Sequence, residues 1–203
     1  MSALAPGDAV LVALSAALGS RDGRAVEGAL RAAVGHPDPG AVEEAILQSY
    51  LFLGYPAALN AFAAWRALSG RAPAPPAEEA GPWSERGDAV CRTVYGGQYE
   101  RLRDNVRRLH PDMERWMVEE GYGKVLGRPG LPLATRELCI AALLAALDAP
   151  RQLYSHLRGS LNAGATEAQV DEALAVAAAV SADGARARAA ETWTTLRTRG
   201  AES

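Results

Sequence analysis

Residues 136–156 read RELCIAALLAALDAPRQLYSH and predict two helices joined by a tight turn. Asp148-Ala149-Pro150 forms the turn, because proline is suited to the first turn of a new helix. Glu137 lies 11 residues before Asp148, and His156 lies 8 residues after it. In an antiparallel hairpin the axial mismatch is about 4 to 5 Å at 1.5 Å per residue. The hairpin therefore allows Glu137 and His156 to meet.

A carboxylate beside an imidazole orients the ring and fixes its tautomer. Such a pair can act as a general acid and base. A buried Glu–His pair that only satisfies two polar groups between helices is the alternative interpretation. Both interpretations stay open at this point.

The composition around this stretch predicts an all-α protein. Alanine, the best helix former, accounts for 43 of the 203 residues, and aromatic residues make up only 6 %. β-Branched residues are also scarce, whereas a β-sandwich or barrel favours them. With 49 % hydrophobic and 22 % charged residues, the chain has globular proportions.

Charge and cysteine content exclude several classes of partner. The formal net charge is −3, so no basic footprint for nucleic acid is expected, and no polybasic block suggests a membrane surface. The longest apolar run, Ala173–Val180, is too short to span a bilayer. The two cysteines favour neither a disulfide framework nor a zinc site. We expect a cytoplasmic protein without a bound metal.

The chain divides at a Pro- and Ala-rich stretch. Residues 70–82 read GRAPAPPAEEAGP, where several prolines exclude helix and predict a linker. The expected organisation is a first half at 1–69, this linker, and a second half with a helical N-terminal extension at 83–203. Within the second half, the Gly- and Pro-rich residues 121–135 predict a shaped connector.

The two halves resemble each other at an offset of 127 to 129 residues. Ala16-Ala17-Leu18 matches Ala145-Ala146-Leu147, and Trp65 and Leu68 match Trp193 and Leu196. The pattern predicts a duplicated four-helix unit. In this alignment Asp8 and Ala29 occupy the positions of Glu137 and His156, so only the second half can use that pair.

Other residues have both a functional and a structural interpretation. Cys139 is either a buried small hydrophobe or a reactive thiol activated by His156. Gln152 precedes His156 by one helical turn and could bind substrate or hold the pair. Arg128 could bind an anion or could tie down backbone carbonyls.

Several histidines and large apolar residues are expected to be structural. His36 and His110 each precede a proline at a helix entrance, where capping or exposure is expected. Trp65, Trp193 and the cluster Met113, Trp116 and Met117 are expected in the core.

Residues 121–147 (GYGKVLGRPGLPLATRELCIAALLAAL) and 152–174 (QLYSHLRGSLNAGATEAQVDEAL) resemble the carboxymuconolactone decarboxylase family. Residues 86–105 resemble the family's N-terminal region. Residues 41–62 resemble its C-terminal half, which in simpler members directly follows the histidine segment. The order found here resembles a duplicated or permuted member, with an AhpD-like helical fold.

The resemblance implies one of two chemistries. The alkylhydroperoxidase D branch uses a Cys-x-x-Cys pair, but the matching positions hold Ala149 and Gln152. A thiol activity would therefore rest on Cys139 alone. The decarboxylase branch keeps the Glu and His and stabilises a dienolate-like anion, for which Arg128 or Arg136 would be suited.

The expected function is a cofactor-free lyase acting on a small lactone or carboxylated substrate, with Glu137 and His156 as catalytic residues. Family resemblance also implies a homo-oligomer. A single-thiol antioxidant enzyme and a non-catalytic family member are the alternatives.

Overall fold

The computed structural model describes residues 2–73 and 81–201, and within these residues it contains helices and no strand. This confirms the all-α prediction. The α-helices are α1 (Pro6–Ser20), α2 (Gly23–Ala33), α3 (Pro39–Gln48), α4 (Tyr50–Leu53), α5 (Tyr55–Ser69), α6 (Trp83–Tyr95), α7 (Tyr99–Leu109), α8 (Pro111–Trp116), α9 (Leu133–Ala146), α10 (Pro150–Asn162), α11 (Glu167–Ala178) and α12 (Asp183–Ala201). A 3₁₀ turn (Gly96–Gln98) precedes α7, and a π-helical segment (Met117–Leu126) follows α8.

Local sequence signals set several helix starts. Asp38 caps α3 through hydrogen bonds from two backbone amides, and Thr166 with Gln169 forms a capping box at α11. The His110 imidazole accepts a hydrogen bond from the Asp112 amide at the start of α8, which confirms its capping role. His36 Nδ1 lies 3.0 Å from the Asp38 amide nitrogen, at the entrance to α3.

Helix α9 forms the centre of the molecule. Every residue from Thr135 to Ala145 is buried, because α1, α10 and α11 all pack against this helix. A side chain at Gly19 in α1 would overlap the Leu143 carbonyl, so the two backbones are in close contact. Residues from both halves thus share one hydrophobic core, in which Trp65 and Trp193 are buried as predicted.

The predicted connector at 121–135 is wrong in its first half. Residues 117–126 are π-helical, and α9 already begins at Leu133. Gly123 permits close packing here instead of a turn. A Cβ on Gly123 would overlap the Trp83 carbonyl oxygen, and one on Gly87 would overlap that of Val118. The π-helical segment can therefore lie directly against α6.

The linker prediction at 70–82 falls largely on residues 74–80, which lie outside the described residues. At its start, Gly70 ends α5 in the left-handed conformation, with φ of 66°. At its end, α6 begins at Trp83.

The internal repeat stays a prediction, and matching contacts support it. Trp65 Nε1 donates to Glu43, and Trp193 Nε1 donates to Asp171, in both cases across 22 residues. Arg21 and Asp148 adopt left-handed backbone conformations, with φ of 58° and 63°. Superposition of α1–α5 on α9–α12 would test the repeat.

Candidate active site

The hairpin of α9 and α10 brings Glu137 and His156 together. His156 Nδ1 lies 2.8 Å from Glu137 Oε2. Glu137 is fully buried, and His156 is 7 % exposed. The hydrogen bond orients the imidazole and leaves its Nε2 atom for a second partner. The sequence-predicted pair is therefore assembled as a buried dyad.

Gly159, one turn after His156 in α10, makes room for the Glu137 carboxylate. A Cβ at this position would lie 2.7 Å from Glu137 Oε2 and 2.7 Å from Val94 Cγ1. Glu137 Oε1 is buried and has no hydrogen-bond partner among the described residues. Since an unpaired buried oxygen is costly, the dyad is not optimised for stability alone.

His156 lines a cavity of about 340 Å³. Its walls come from four regions of the chain: α4, the end of α6, α8 with the π-helical segment, and α10. The other lining residues are Leu51, Phe52, Tyr95, Met113, Trp116, Met117, Glu120, Gly121, Tyr122 and Leu126. The Phe52 ring meets the imidazole edge-on, with 5.6 Å between ring centroids. The cavity has the size of a small-molecule site.

The prediction that Met113 and Trp116 belong to the core is wrong, whereas Met117 is partly buried and packs against the core. All three side chains line the cavity, and Met113 and Trp116 are 53 % and 47 % exposed. Helix α8 therefore presents an apolar face to the cavity and to solvent.

Two tyrosine hydroxyls provide hydrogen-bonding groups in the wall of the cavity. Tyr95 Oη and Tyr122 Oη lie 2.6 Å apart. Burial raises the pKa of both phenols above its usual range, so both stay protonated. One hydroxyl donates to the other, and the acceptor keeps its own hydrogen for another partner.

Glu120 is the acidic residue among those that line the cavity. Its Oε1 accepts a hydrogen bond from Tyr50 Oη at 3.0 Å. No arginine or lysine lies among the described lining residues. The cavity is thus mostly apolar, with polar groups at the imidazole, the tyrosine pair and Glu120.

The predicted arginines lie elsewhere. Arg136 is fully buried, and its guanidinium donates to Glu44 and to the carbonyls of Arg128 and Pro129. Arg128 donates to the same Glu44 carboxylate through Nε and a terminal nitrogen. Both guanidiniums join the two halves through Glu44 and do not reach the cavity.

Gln152 is not part of the cavity either. Its side chain is exposed, and it is absent from the lining residues. Gln152 lies one turn before His156 as predicted, but of these two side chains only His156 lines the cavity.

Cys139 is fully buried in α9. Burial raises the pKa of its thiol to about 12, so the reactive thiolate is scarce near neutral pH. It does not line the cavity with His156. Cys91 is also buried, and its pKa is likewise raised by burial.

Sequence reasoning missed Tyr95, Tyr122, Phe52 and Glu120. Tyr95 and Tyr122 lie within the stretches that carry the resemblance, but no spacing rule connects residues 27 apart on different helices. Phe52 also lies in a stretch that carries the resemblance, residues 41–62, but it belongs to the other half of the chain and no local pattern connects it with His156.

In the part of the chain that the structure describes, no group of three or more His, Cys, Asp or Glu residues is arranged to hold a metal. None of the described helices combines the length and apolarity needed to cross a bilayer.

Comparison with known proteins links this dyad to a family. The carboxymuconolactone decarboxylase family pattern matches residues 111–195, which include both members of the dyad. Peroxisomal protein 2 of Schizosaccharomyces pombe is 30 % identical over 147 residues, covering 68 % of this chain and 67 % of the relative.

Two further relatives carry names of enzymes. The 4-carboxymuconolactone decarboxylase of Acinetobacter baylyi is 33 % identical over 89 residues, covering 43 % of this chain and 66 % of the relative. The nitrosuccinic acid decarboxylase of Metarhizium robertsii is 33 % identical over 96 residues, covering 46 % and 66 %. The chain spans about two thirds of the length of each of these three relatives. With the helical fold and the buried Glu137–His156 dyad, these matches show that the chain belongs to the carboxymuconolactone decarboxylase family.

Proposed function

We propose that this protein is a cofactor-free lyase that decarboxylates a small substrate in the cavity beside His156. The observation that carries the proposal is the 2.8 Å hydrogen bond between the buried Glu137 carboxylate and His156 Nδ1, with the imidazole lining the cavity. Two of the relatives are named decarboxylases, which supports the reaction class.

In the proposed reaction, the bond between the substrate's carboxylate carbon and its neighbouring carbon breaks. The electron pair passes into a conjugated carbonyl of a lactone or into the nitro group of a nitro acid, carbon dioxide leaves, and a dienolate-like or nitronate anion remains. His156 Nε2 donates a proton to carbon, and solvent returns the proton to the imidazole. Glu137 stabilises the imidazolium form that precedes this transfer.

The cavity walls assist the step in two ways. The apolar side chains of Leu51, Phe52 and Leu126 cannot solvate a carboxylate, so a localised charge is disfavoured relative to a delocalised dienolate. The free hydrogen of the Tyr95–Tyr122 pair can be donated to the enolate oxygen as charge develops there. Arg128 and Arg136 have no part in this proposal, because Glu44 holds both away from the cavity.

No contact or cavity in the structure supports the single-thiol alternative. Cys139 is fully buried, and the pKa of its thiol is raised to about 12, whereas peroxidatic cysteines are exposed thiolates. The homo-oligomer and the cytoplasmic location stay predictions.

The test is decarboxylation of 4-carboxymuconolactone, followed by loss of ultraviolet absorbance, and of nitrosuccinate, followed by carbon dioxide release. We expect turnover of one of these acids by the wild type. Glu137→Gln and His156→Ala should each reduce it by about 100-fold or more, the usual size of a lost acid–base group. Arg151→Ala, on the exposed side of α10, is the matched control and should leave turnover unchanged.

The product formed in deuterated water should carry deuterium at the protonated carbon. If the folded wild type turns over neither acid, the lyase proposal fails and the non-catalytic family member becomes the better explanation. If turnover survives His156→Ala, the assignment of the proton donor fails.

A further inference from the structure

A second cavity lies between α7 and α10. It has a volume of about 470 Å³. Three arginines line it: Arg101 from α7, Arg158 from α10 and Arg199 from α12. We call it the arginine groove. Tyr95 lines both this groove and the cavity beside His156.

One face of α7, together with the last residue of the preceding 3₁₀ turn, and one face of α10 line the groove. Gln98, Arg101, Leu102 and Asn105 follow the i, i+3, i+4, i+7 spacing that places side chains on one side of a helix. On α10, Tyr154, Ser155 and Arg158 hold the i+3, i+4 and i+7 positions of the same pattern, counted from Arg151. His156 belongs to the opposite face of α10, which separates the groove from the dyad.

The groove combines several positive charges. On α7, Arg103 pairs with Glu114 and Arg107 with Asp104, while Arg108 donates to the Asn105 side chain. Among residues 2–73 and 81–201, no carboxylate pairs with Arg101 or Arg158, and no acidic residue lines the groove. A protein of net charge −3 thus gathers guanidiniums around one opening.

Like charges that face one opening repel each other, and a bound anion would relieve that repulsion. Guanidinium groups recognise phosphate and carboxylate through paired hydrogen bonds. Asn105 and Ser155 add polar groups, while the rings of Tyr95 and Tyr154 add apolar surface. The volume lies in the range of small-molecule sites.

We propose that the arginine groove binds a small molecule that carries a phosphate or several carboxylates. Its charged end would lie against Arg101 and Arg158, and its body against the tyrosines. The site is independent of the lyase proposal, because no groove residue other than Tyr95 belongs to the catalytic cavity.

Isothermal titration with pyrophosphate and with citrate, at low ionic strength, tests the proposal on the full chain. We expect saturable binding of at least one of them, and the stronger of the two shows whether phosphate or carboxylate is the preferred group. Arg101→Ala and Arg158→Ala should each weaken binding by about tenfold, the size of a lost charge-assisted hydrogen bond. Arg24→Ala, which removes an exposed arginine of α2 away from the groove, and His156→Ala should bind as the wild type does.

Three results would overturn the proposal. The first is the absence of saturable binding of both anions. The second is equal weakening by Arg24→Ala, which would indicate a nonspecific effect of charge. The third is a change in oligomeric state in Arg101→Ala or Arg158→Ala without any effect on anion binding, which would make the groove an interface between copies of the chain. Circular dichroism of each variant checks that these exposed substitutions leave the helices intact.

Discussion

Replacing Gly159 with alanine tests whether close packing around Glu137 maintains the dyad. The added Cβ would lie 2.7 Å from Glu137 Oε2 and 2.7 Å from Val94 Cγ1. Neither neighbour has space to move, since Glu137 is fully buried and Val94 is 1 % exposed. Optimal contacts between carbon atoms are about 3.5 to 4.0 Å, so the helices or side chains must separate by roughly 1 Å.

The expected change in the free energy of unfolding of Gly159→Ala is the sum of two opposing effects. Overpacking a buried contact costs about 1 to 3 kcal/mol. Alanine in a helix gains about 0.5 to 1 kcal/mol over glycine. The net loss in the free energy of unfolding should therefore be about 1 to 2 kcal/mol. Displacement of Glu137 also lengthens its 2.8 Å hydrogen bond to His156, so turnover should fall more than stability alone would explain.

Urea unfolding and the decarboxylation assay measure the two effects. Gly28→Ala is the matched control, because Gly28 lies within α2, is exposed, and has nothing within 4 Å of the position that an added methyl group would take. It should be neutral or stabilising, by up to about 1 kcal/mol. If Gly159→Ala is as stable and as active as the wild type, the argument that packing maintains the dyad is refuted.

Three further predictions concern the scaffold. Gly123→Ala should destabilise the fold by roughly 1 to 3 kcal/mol or more, the cost of overpacking, because its Cβ would overlap the Trp83 carbonyl; thermal unfolding measures this. Cys139 should resist iodoacetamide at about pH 8 in the folded protein and react after denaturation, because burial raises the pKa of its thiol to about 12; peptide mass spectrometry locates the label. Glu44→Ala should lower the free energy of unfolding by about 3 to 5 kcal/mol, since it leaves the guanidinium of Arg136 buried without its carboxylate; urea unfolding tests this, and a loss below about 1 kcal/mol would contradict it.

Sequence patterns predict the parts of this fold that depend on residues close together in the chain. The dyad is predictable because Glu137 and His156 lie on one helical hairpin, where rise per residue and turn position fix their separation. The capping box at Thr166 is predictable because both members lie within one turn. In each case the interacting groups are close in sequence.

The arginines show where such rules fail. Arg128 and Arg136 fit an anion site by chemistry, and nothing near them in sequence opposes that interpretation. Their partner, Glu44, lies 84 and 92 residues away, on the other half of the chain. An ion pair between residues so far apart in the sequence depends on how the two halves pack together. The sequence around either arginine carries no information about that packing.

The prediction of a turn at the glycines of the π-helical segment is wrong for a different reason. Backbone freedom makes Gly121 and Gly123 resemble turn residues in the sequence. In the structure, Gly123 has its role in the missing side chain, which lets the segment approach the backbone of α6. A glycine in a sequence indicates either role, and only the neighbouring helix decides between them.

The origin of the cavity walls bears on what this family can do. The family pattern covers residues 111–195, and so includes the dyad and Tyr122, but Phe52 and Tyr95 lie outside it. Phe52 contacts the imidazole, and Tyr95 shares the tyrosine hydrogen bond, so both shape the cavity beside His156. In the proposed reaction, the matched segment supplies the acid–base pair and the walls beyond it select the substrate. Replacement of Phe52 by a smaller side chain should then change which of the two acids, 4-carboxymuconolactone or nitrosuccinate, is decarboxylated faster. The Glu137–His156 hydrogen bond should stay in place.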